Sequence, residues 1–135
     1  MIVFAGCSLW GRLSYGSWME PISAKTAEHY VWGDGCDGWH LVRTDELSVI
    51  EERMPPGTAE QRHMHERSRQ FFYVLSGELT IELEGEVNLL IPGMGLEVAP
   101  RQAHQVMNFS GTNAVFLVVS QPPGRVDRIV VGPLG

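Results

Sequence analysis

The sequence predicts an all-β domain, a sandwich or small barrel, and three observations carry that prediction. From position 29 onward the apolar residues recur in short runs with a period near two. Gly, Pro, Asp and Asn separate the runs at steady spacing. No window is long enough for an amphipathic helix of ordinary length.

In chain order, His29–Trp32 reads as a first strand, closed by the turn-rich stretch Gly33-Asp34-Gly35-Cys36-Asp37-Gly38, with Trp39–Val42 as its return. Glu46–Met54 follows and is stopped by Pro55-Pro56-Gly57. Gln70–Leu75 ends at Ser76-Gly77, and Leu79–Leu83 ends at Glu84-Gly85, a tight hairpin signal. Val87–Ile91 stops at Pro92-Gly93, Leu96–Ala99 at Pro100, and His104–Phe109 at Ser110-Gly111. Ala114–Val119 is the last strand before Pro122-Pro123. The total is eight or nine short strands, the pattern of a sandwich or small barrel. Alternation assigns Phe72, Val74, Ile81, Leu83, Val106, Phe116 and Val118 to the inner faces as core.

A chain of 135 residues is one domain by size, and its 44% hydrophobic content excludes global disorder. The net charge of −6 argues against a nucleic-acid binder that tracks phosphates. Nine of the ten cations are Arg, with Lys25 the exception, a bias that fits anionic ligands and genomic composition equally. Cys7 and Cys36 make neither a disulfide framework nor a zinc-ribbon pattern, and Cys36 reads as an ordinary thiol despite His40 four residues on. The apolar runs fall short of a membrane span. Residues 1–18 are apolar and aromatic without the basic start of a signal peptide, since Arg12 comes after the apolar stretch. They are expected to be a tail, with one domain over 19–135 and a cytoplasmic location.

The chemistry concentrates in three histidines. His63 and His65 lie two apart, so on a strand their imidazoles share a face and can meet one ion. In isolation such a pair fits an exposed strand edge as well as a metal site. The surroundings add a pattern: Gly57, five residues, His63-Met64-His65, four residues, Gln70, six residues, Gly77. A second runs from Gly93 through Ala99, Pro100 and Arg101 to His104 and Asn108. Together they resemble the two motifs of the cupin superfamily, over residues 45–120. The small single-domain members related to mannose-6-phosphate isomerase are most alike in the strand that starts at Gln70. The first motif departs from the family where Gln70 stands in place of a metal-binding Glu. The second has Ala99 where Pro is usual and Arg101 where Gly is frequent.

The resemblance implies a jelly-roll barrel, the double-stranded β-helix, around one divalent metal, with Zn, Fe, Mn and Ni indistinguishable. Its ligands would be His63, His65 and His104, with Gln70 in the carboxylate position. Gly57 and Gly93 suit positive-φ positions at strand starts, and Gly77 opens a hairpin. Asn108 reads as a turn or supporting residue rather than a ligand. An amide in place of a carboxylate leaves a divalent site near +2 rather than +1, a harsher Lewis acid held less tightly. That loss of an anionic donor counts against redox chemistry and favours polarising an oxygenated substrate.

Other side chains have two readings each. Glu52 shares its parity with Met54, so it is either a catalytic acid or base inside the barrel or a solvated edge carboxylate. Arg101 either clamps an anionic group at the barrel mouth or is a solvated loop residue. Glu66 points away from the histidine pair, and Glu51 and Arg53 read as a surface pair. Phe72 and Phe116 are expected as apolar pocket walls. The functional expectation is a metal-dependent enzyme of the isomerase, cyclase or dioxygenase type, acting on a small oxygenated or anionic metabolite. A non-catalytic sensor or carrier of a small molecule is the alternative. A homodimer is expected, with the aromatic hairpin of Tyr30, Trp32 and Trp39 covering a partner's sheet.

Overall fold

A computed structural model describes residues 20–134, and the expected tail at 1–18 lies outside them. Eleven strands occur among the described residues: β1 Glu28–Trp32, β2 Cys36–Arg43, β3 Ser48–Met54, β4 His63–His65, β5 Arg69–Ser76, β6 Leu79–Leu83, β7 Glu86–Leu90, β8 Gly95–Val98, β9 His104–Met107, β10 Ala114–Gln121 and β11 Arg128–Val130. They form two antiparallel sheets, ordered β1-β2-β3-β10-β5-β8 and β11-β4-β9-β6-β7. The sheets enclose one apolar core, to which β5 gives Phe72 and Val74, β10 Phe116 and Val118, β6 Leu79 and Ile81, and β9 Val106. Among the described residues no ladder joins the sheets, so the jelly roll is a sandwich of two sheets rather than a continuously bonded barrel. No described helix is long and apolar enough to cross a membrane.

The expected strands are present with ends shifted by a few residues, and two elements are additional to the run of apolar strands: β4, with only three residues, and β11. All three residues of β11 are exposed, so no hydrophobic period marks it. Period-two burial is clearest in β5, where Gln70, Phe72 and Val74 point inward and Phe71, Tyr73 and Leu75 outward. The register aligns inward residues into rows across the sheet. Glu52 sits beside Phe116, which sits beside Val74, while Ser48, Ser120 and Gln70 make a row nearer the other end. The interior therefore has an apolar end and a polar end.

The first hairpin corrects an expectation. Tyr30 and Trp32 face inward and line a cavity, whereas the sequence predicts them on a face that covers a partner's sheet. Tyr30 pairs with Gly38, and Gly38 pairs with Glu52. Because a Cβ at Gly38 would collide with the Tyr30 ring, only glycine lets the phenol cross β2 and reach Glu52. Trp39 alone of the three aromatics stays on the outer side, against His29 with ring centroids 5.3 Å apart. Arg53 is paired with Asp37 across β2 rather than with Glu51.

The two motifs lock onto one another through backbone bonds. Gly57 N–H donates to Asn108 O at 2.8 Å, and Asn108 N–H donates to Thr58 O at 2.9 Å. The Asn108 side chain, fully buried, donates to Met54 O and Thr112 O and accepts from Ser110, which makes it the pin of its turn. Arg101 holds the left-handed position, φ 69°, where a glycine would be unstrained, and its N–H donates to His65 O at 2.7 Å. Its side chain is 73% exposed and meets only Glu66, an ion pair of little energetic weight. Arg101→Gly should therefore raise stability, by up to about 1 kcal/mol or a few degrees in Tm, measured by thermal unfolding.

Candidate metal centre and cavity

His63 and His65 alternate inward from β4, and His104 opens β9 directly opposite His63 in the ladder. All three are buried, and their ligand atoms lie within 4.8 Å of one another. Each ring has one nitrogen already engaged by an acceptor. His63 Nδ1 meets Gln61 O at 2.9 Å, His104 Nδ1 meets Gln102 O at 3.0 Å, and His65 Nδ1 meets Asp127 Oδ1 at 3.0 Å. An acceptor at Nδ1 places the proton there in the neutral ring and leaves Nε2 with its lone pair. Burial favours the neutral form of two of the rings: it pushes the His63 pKa down to about 3 and lowers that of His104, assisted by the neighbouring histidines.

Two polar atoms here are buried without a hydrogen-bond partner, His104 Nε2 and Gln70 Oε1. A buried acceptor left unpaired costs about 1–3 kcal/mol, which a bound cation offsets. Gln70 is oriented by its other end, since Nε2 donates to Ser120 Oγ at 3.0 Å, and the amide is turned so that its oxygen is the free atom. The acceptor is thus Ser120 rather than the pocket carboxylate of Glu52. Three neutral imidazoles and one amide oxygen form a donor set that fits a divalent first-row ion.

Three of the four donors, His63, His65 and Gln70, line a cavity of about 810 Å³ together with Tyr30, Glu52 and Glu60, while His104 is buried behind its wall. Phe72 forms part of its wall, as expected, whereas Phe116 is fully buried in the core behind it. Glu52 lines this cavity. Its carboxylate accepts from Tyr30 Oη at 3.2 Å, and burial pushes its pKa up to about 7 against the lowering effect of that bond. Glu60 is pushed up to about 8 by burial and by the charge of Glu52, despite the N–H of Val106 and the nearby Arg128. Arg101 is not among the lining residues, and neither is Glu66, which it pairs with at the surface. Arg43, Arg67, Arg125 and Arg128 are instead the cations that line the cavity.

Several of these residues carried no legible signal. Tyr30 depends on Gly38 across the sheet, Glu60 lies in an irregular segment, and Asp127, Arg125 and Arg128 belong to the stretch beyond the motifs. A pairing of acidic and basic residues after Pro123 was the one available hint.

The comparisons with known proteins agree with this geometry. A family model described as the cupin domain matches residues 50–120. The chain belongs to the cupin family. No curated protein matches this cupin in sequence. Among solved structures, the protein TT1209 from Thermus thermophilus is 28% identical and superposes with a TM-score of 0.68, covering 77% of this chain and 98% of that one. The polyketide cyclase RemF from Streptomyces resistomycificus is 18% identical with a TM-score of 0.73, over 86% of this cupin and 87% of RemF. A cupin sugar phosphate isomerase from Silicibacter pomeroyi is 18% identical with a TM-score of 0.70, over 86% and 97%. The last two likenesses concern the fold.

Two outcomes follow from the site. Gln70→Glu supplies an anionic donor, and the Ser120 hydroxyl can turn to donate to it, so affinity for a divalent ion should rise about 10- to 100-fold in a competition titration. Unchanged affinity would make Gln70 a bystander. The raised Glu52 pKa also makes stability depend on pH. A carboxyl whose pKa goes from 4.5 when unfolded to about 7 when folded contributes fully below pH 4.5 and loses that contribution as pH rises through 7. Glu52→Gln stays neutral, so it should match the parent in acid and exceed it by about 1–3 kcal/mol above neutrality, read from denaturant unfolding in the absence of metal.

Proposed function

We propose that this cupin is a metal-dependent enzyme of the isomerase or cyclase type acting on a small oxygenated, anionic metabolite. The observation that carries the reading is the unpartnered Gln70 Oε1 in a cavity that also holds a carboxyl titrating near neutrality, with the unpartnered His104 Nε2 buried beside His63 and His65, which line that cavity. His63, His65, His104 and Gln70 would hold one divalent ion, whose role is to polarise an oxygen of the substrate. A donor set without a carboxylate does little to stabilise a trivalent ion, which places a dioxygenase behind the proton-transfer reactions.

The chain's own residues supply the rest. Glu52, half-protonated near neutral pH, accepts a proton from a carbon or hydroxyl of the bound molecule and returns it elsewhere. Tyr30 donates to the carboxylate form and fixes the direction in which its free oxygen faces. Four arginines around the cavity supply positive charge for a carboxylate or phosphate group. Phe72 closes the wall between cavity and core and keeps water from the apolar end. A cyclase and a sugar phosphate isomerase share the fold, which supports these reaction types without choosing between them.

The test begins with protein purified without chelator or affinity metal. Elemental analysis should find close to one divalent first-row ion per chain, and a panel of carboxylated and phosphorylated sugars and keto acids should yield a turned-over substrate. Glu52→Gln should keep the ion and lose roughly 10²- to 10⁴-fold in turnover. Persistent absence of metal, or ligand binding without turnover, would replace the enzyme by a small-molecule carrier.

A further inference from the structure

The segment that follows β10 folds back over the metal-ligand cluster from outside the two motifs. A single 3-10 turn, Gly124–Val126, leads into β11, which pairs antiparallel with β4 so that Arg128 lies opposite His65 and Val130 opposite His63. Asp127 stands between the turn and the strand, and its two carboxylate oxygens have separate tasks. Oδ2 accepts from the backbone N–H groups of Arg67 at 2.7 Å and Ser68 at 3.0 Å, which ties down the turn between β4 and β5. Oδ1 faces His65 Nδ1 at 3.0 Å. The backbone carbonyl of Asp127 adds a third tie by accepting from Glu66 N–H at 3.3 Å.

Gly124 completes the clamp. A Cβ at that position would lie 2.7 Å from His65 Cε1 and 2.8 Å from Nδ1, so the hook's backbone rests directly on the imidazole. The ring is thus held on one side by close backbone and at Nδ1 by a carboxylate.

We propose that Asp127 is the positioning residue of the metal centre: it fixes His65 in the tautomer and orientation that present Nε2 to the ion, and residues 122–130 form a clamp that carries it. His63 and His104 have their Nδ1 set by backbone carbonyls of Gln61 and Gln102, acceptors that no substitution of a side chain can remove. His65 Nδ1 instead has a side chain as its acceptor, sixty-two residues away in sequence, whereas the side chain nearest His63 Nδ1 is the Arg128 guanidinium at 3.3 Å, which cannot accept a proton. Among the three imidazoles, the one set by a side-chain acceptor is therefore the one that a single carboxylate controls. The inference rests on the metal-site reading above only for its affinity readout. Its tautomer readout is independent of any ion.

Asparagine at this position separates the two tasks of the carboxylate. In Asp127→Asn the amide oxygen still accepts from Arg67 and Ser68, while the amide nitrogen now faces His65 Nδ1 as a donor. The opposite orientation sets the amide nitrogen against two N–H donors and loses both bonds. The ring must then accept at Nδ1 and carry its proton on Nε2, the atom the ion needs.

The experiment uses the full chain, parent, Asp127→Asn and Asp127→Ala, with zinc as the probe. Nitrogen-15 spectra of the metal-free protein above neutral pH should show His65 protonated at Nδ1 in the parent and at Nε2 in Asp127→Asn, with His63 and His104 unchanged. Zinc affinity should fall about 10- to 100-fold in Asp127→Asn at nearly parental thermal stability. Asp127→Ala should lose stability as well, because the turn's N–H groups lose their acceptor. The same His65 tautomer in parent and Asp127→Asn would overturn the proposal and leave Asp127 as a loop anchor. So would a switched tautomer with unaltered zinc affinity. A parent that shows the expected tautomer but binds no zinc would instead count against the metal-site reading.

Discussion

The structure depends on strand alternation applied to a sheet whose inner rows change character along their length. A strand must send every second side chain inward, whatever that side chain is. β3 sends in Ser48, Ile50, Glu52 and Met54, β5 sends in Gln70, Phe72 and Val74, and β10 sends in Ala114, Phe116, Val118 and Ser120. Because these strands are antiparallel and paired residue to residue, Ser48, Ser120 and Gln70 make one polar row, and Glu52 is the polar member of the row of Phe116 and Val74. Packing and chemistry follow from the same periodicity. The apolar end contributes the burial that offsets the cost of keeping Glu52, Glu60 and three histidines away from water.

This arrangement explains how neutral groups come to fill the polar end. Burial raises the pKa of Glu52 and Glu60 and lowers that of His63 and His104, so both kinds of group favour their uncharged forms. Uncharged imidazoles are metal ligands, and a carboxyl near its midpoint is a proton exchanger. The low polarity made by the core is thus a condition for the site as well as for the fold.

The sequence made most of the β framework legible because hydrophobic alternation and Gly/Pro punctuation are local signals. The three histidines and Gln70 were legible through the spacing of two short motifs, and the structure places all four on inward positions. What escaped has a common physical cause. Tyr30 reaches Glu52 only through the missing side chain of Gly38, a relation between three strands. Trp32 shares the inward parity of Tyr30, yet an aromatic hairpin looks the same in sequence whether its rings face a cavity or a partner. Arg101 has two readings in the sequence because a turn beside a ligand looks like a mouth. The left-handed backbone aims its side chain at Glu66 instead. The clamp after Pro123 carries no apolar period, and its importance lies in hydrogen bonds made far from it in sequence.

The separation between His65 and Asp127 also sets an order of events in the cell. A nascent chain is delivered from its N-terminus, and structure forms as residues become available. Both motifs, with every imidazole of the cluster, leave the ribosome before the carboxylate that disciplines one of them. A chain halted after β10 possesses the ligands but lacks the acceptor at His65 Nδ1. On the proposed role of Asp127, full affinity for an ion would come only with the finished segment.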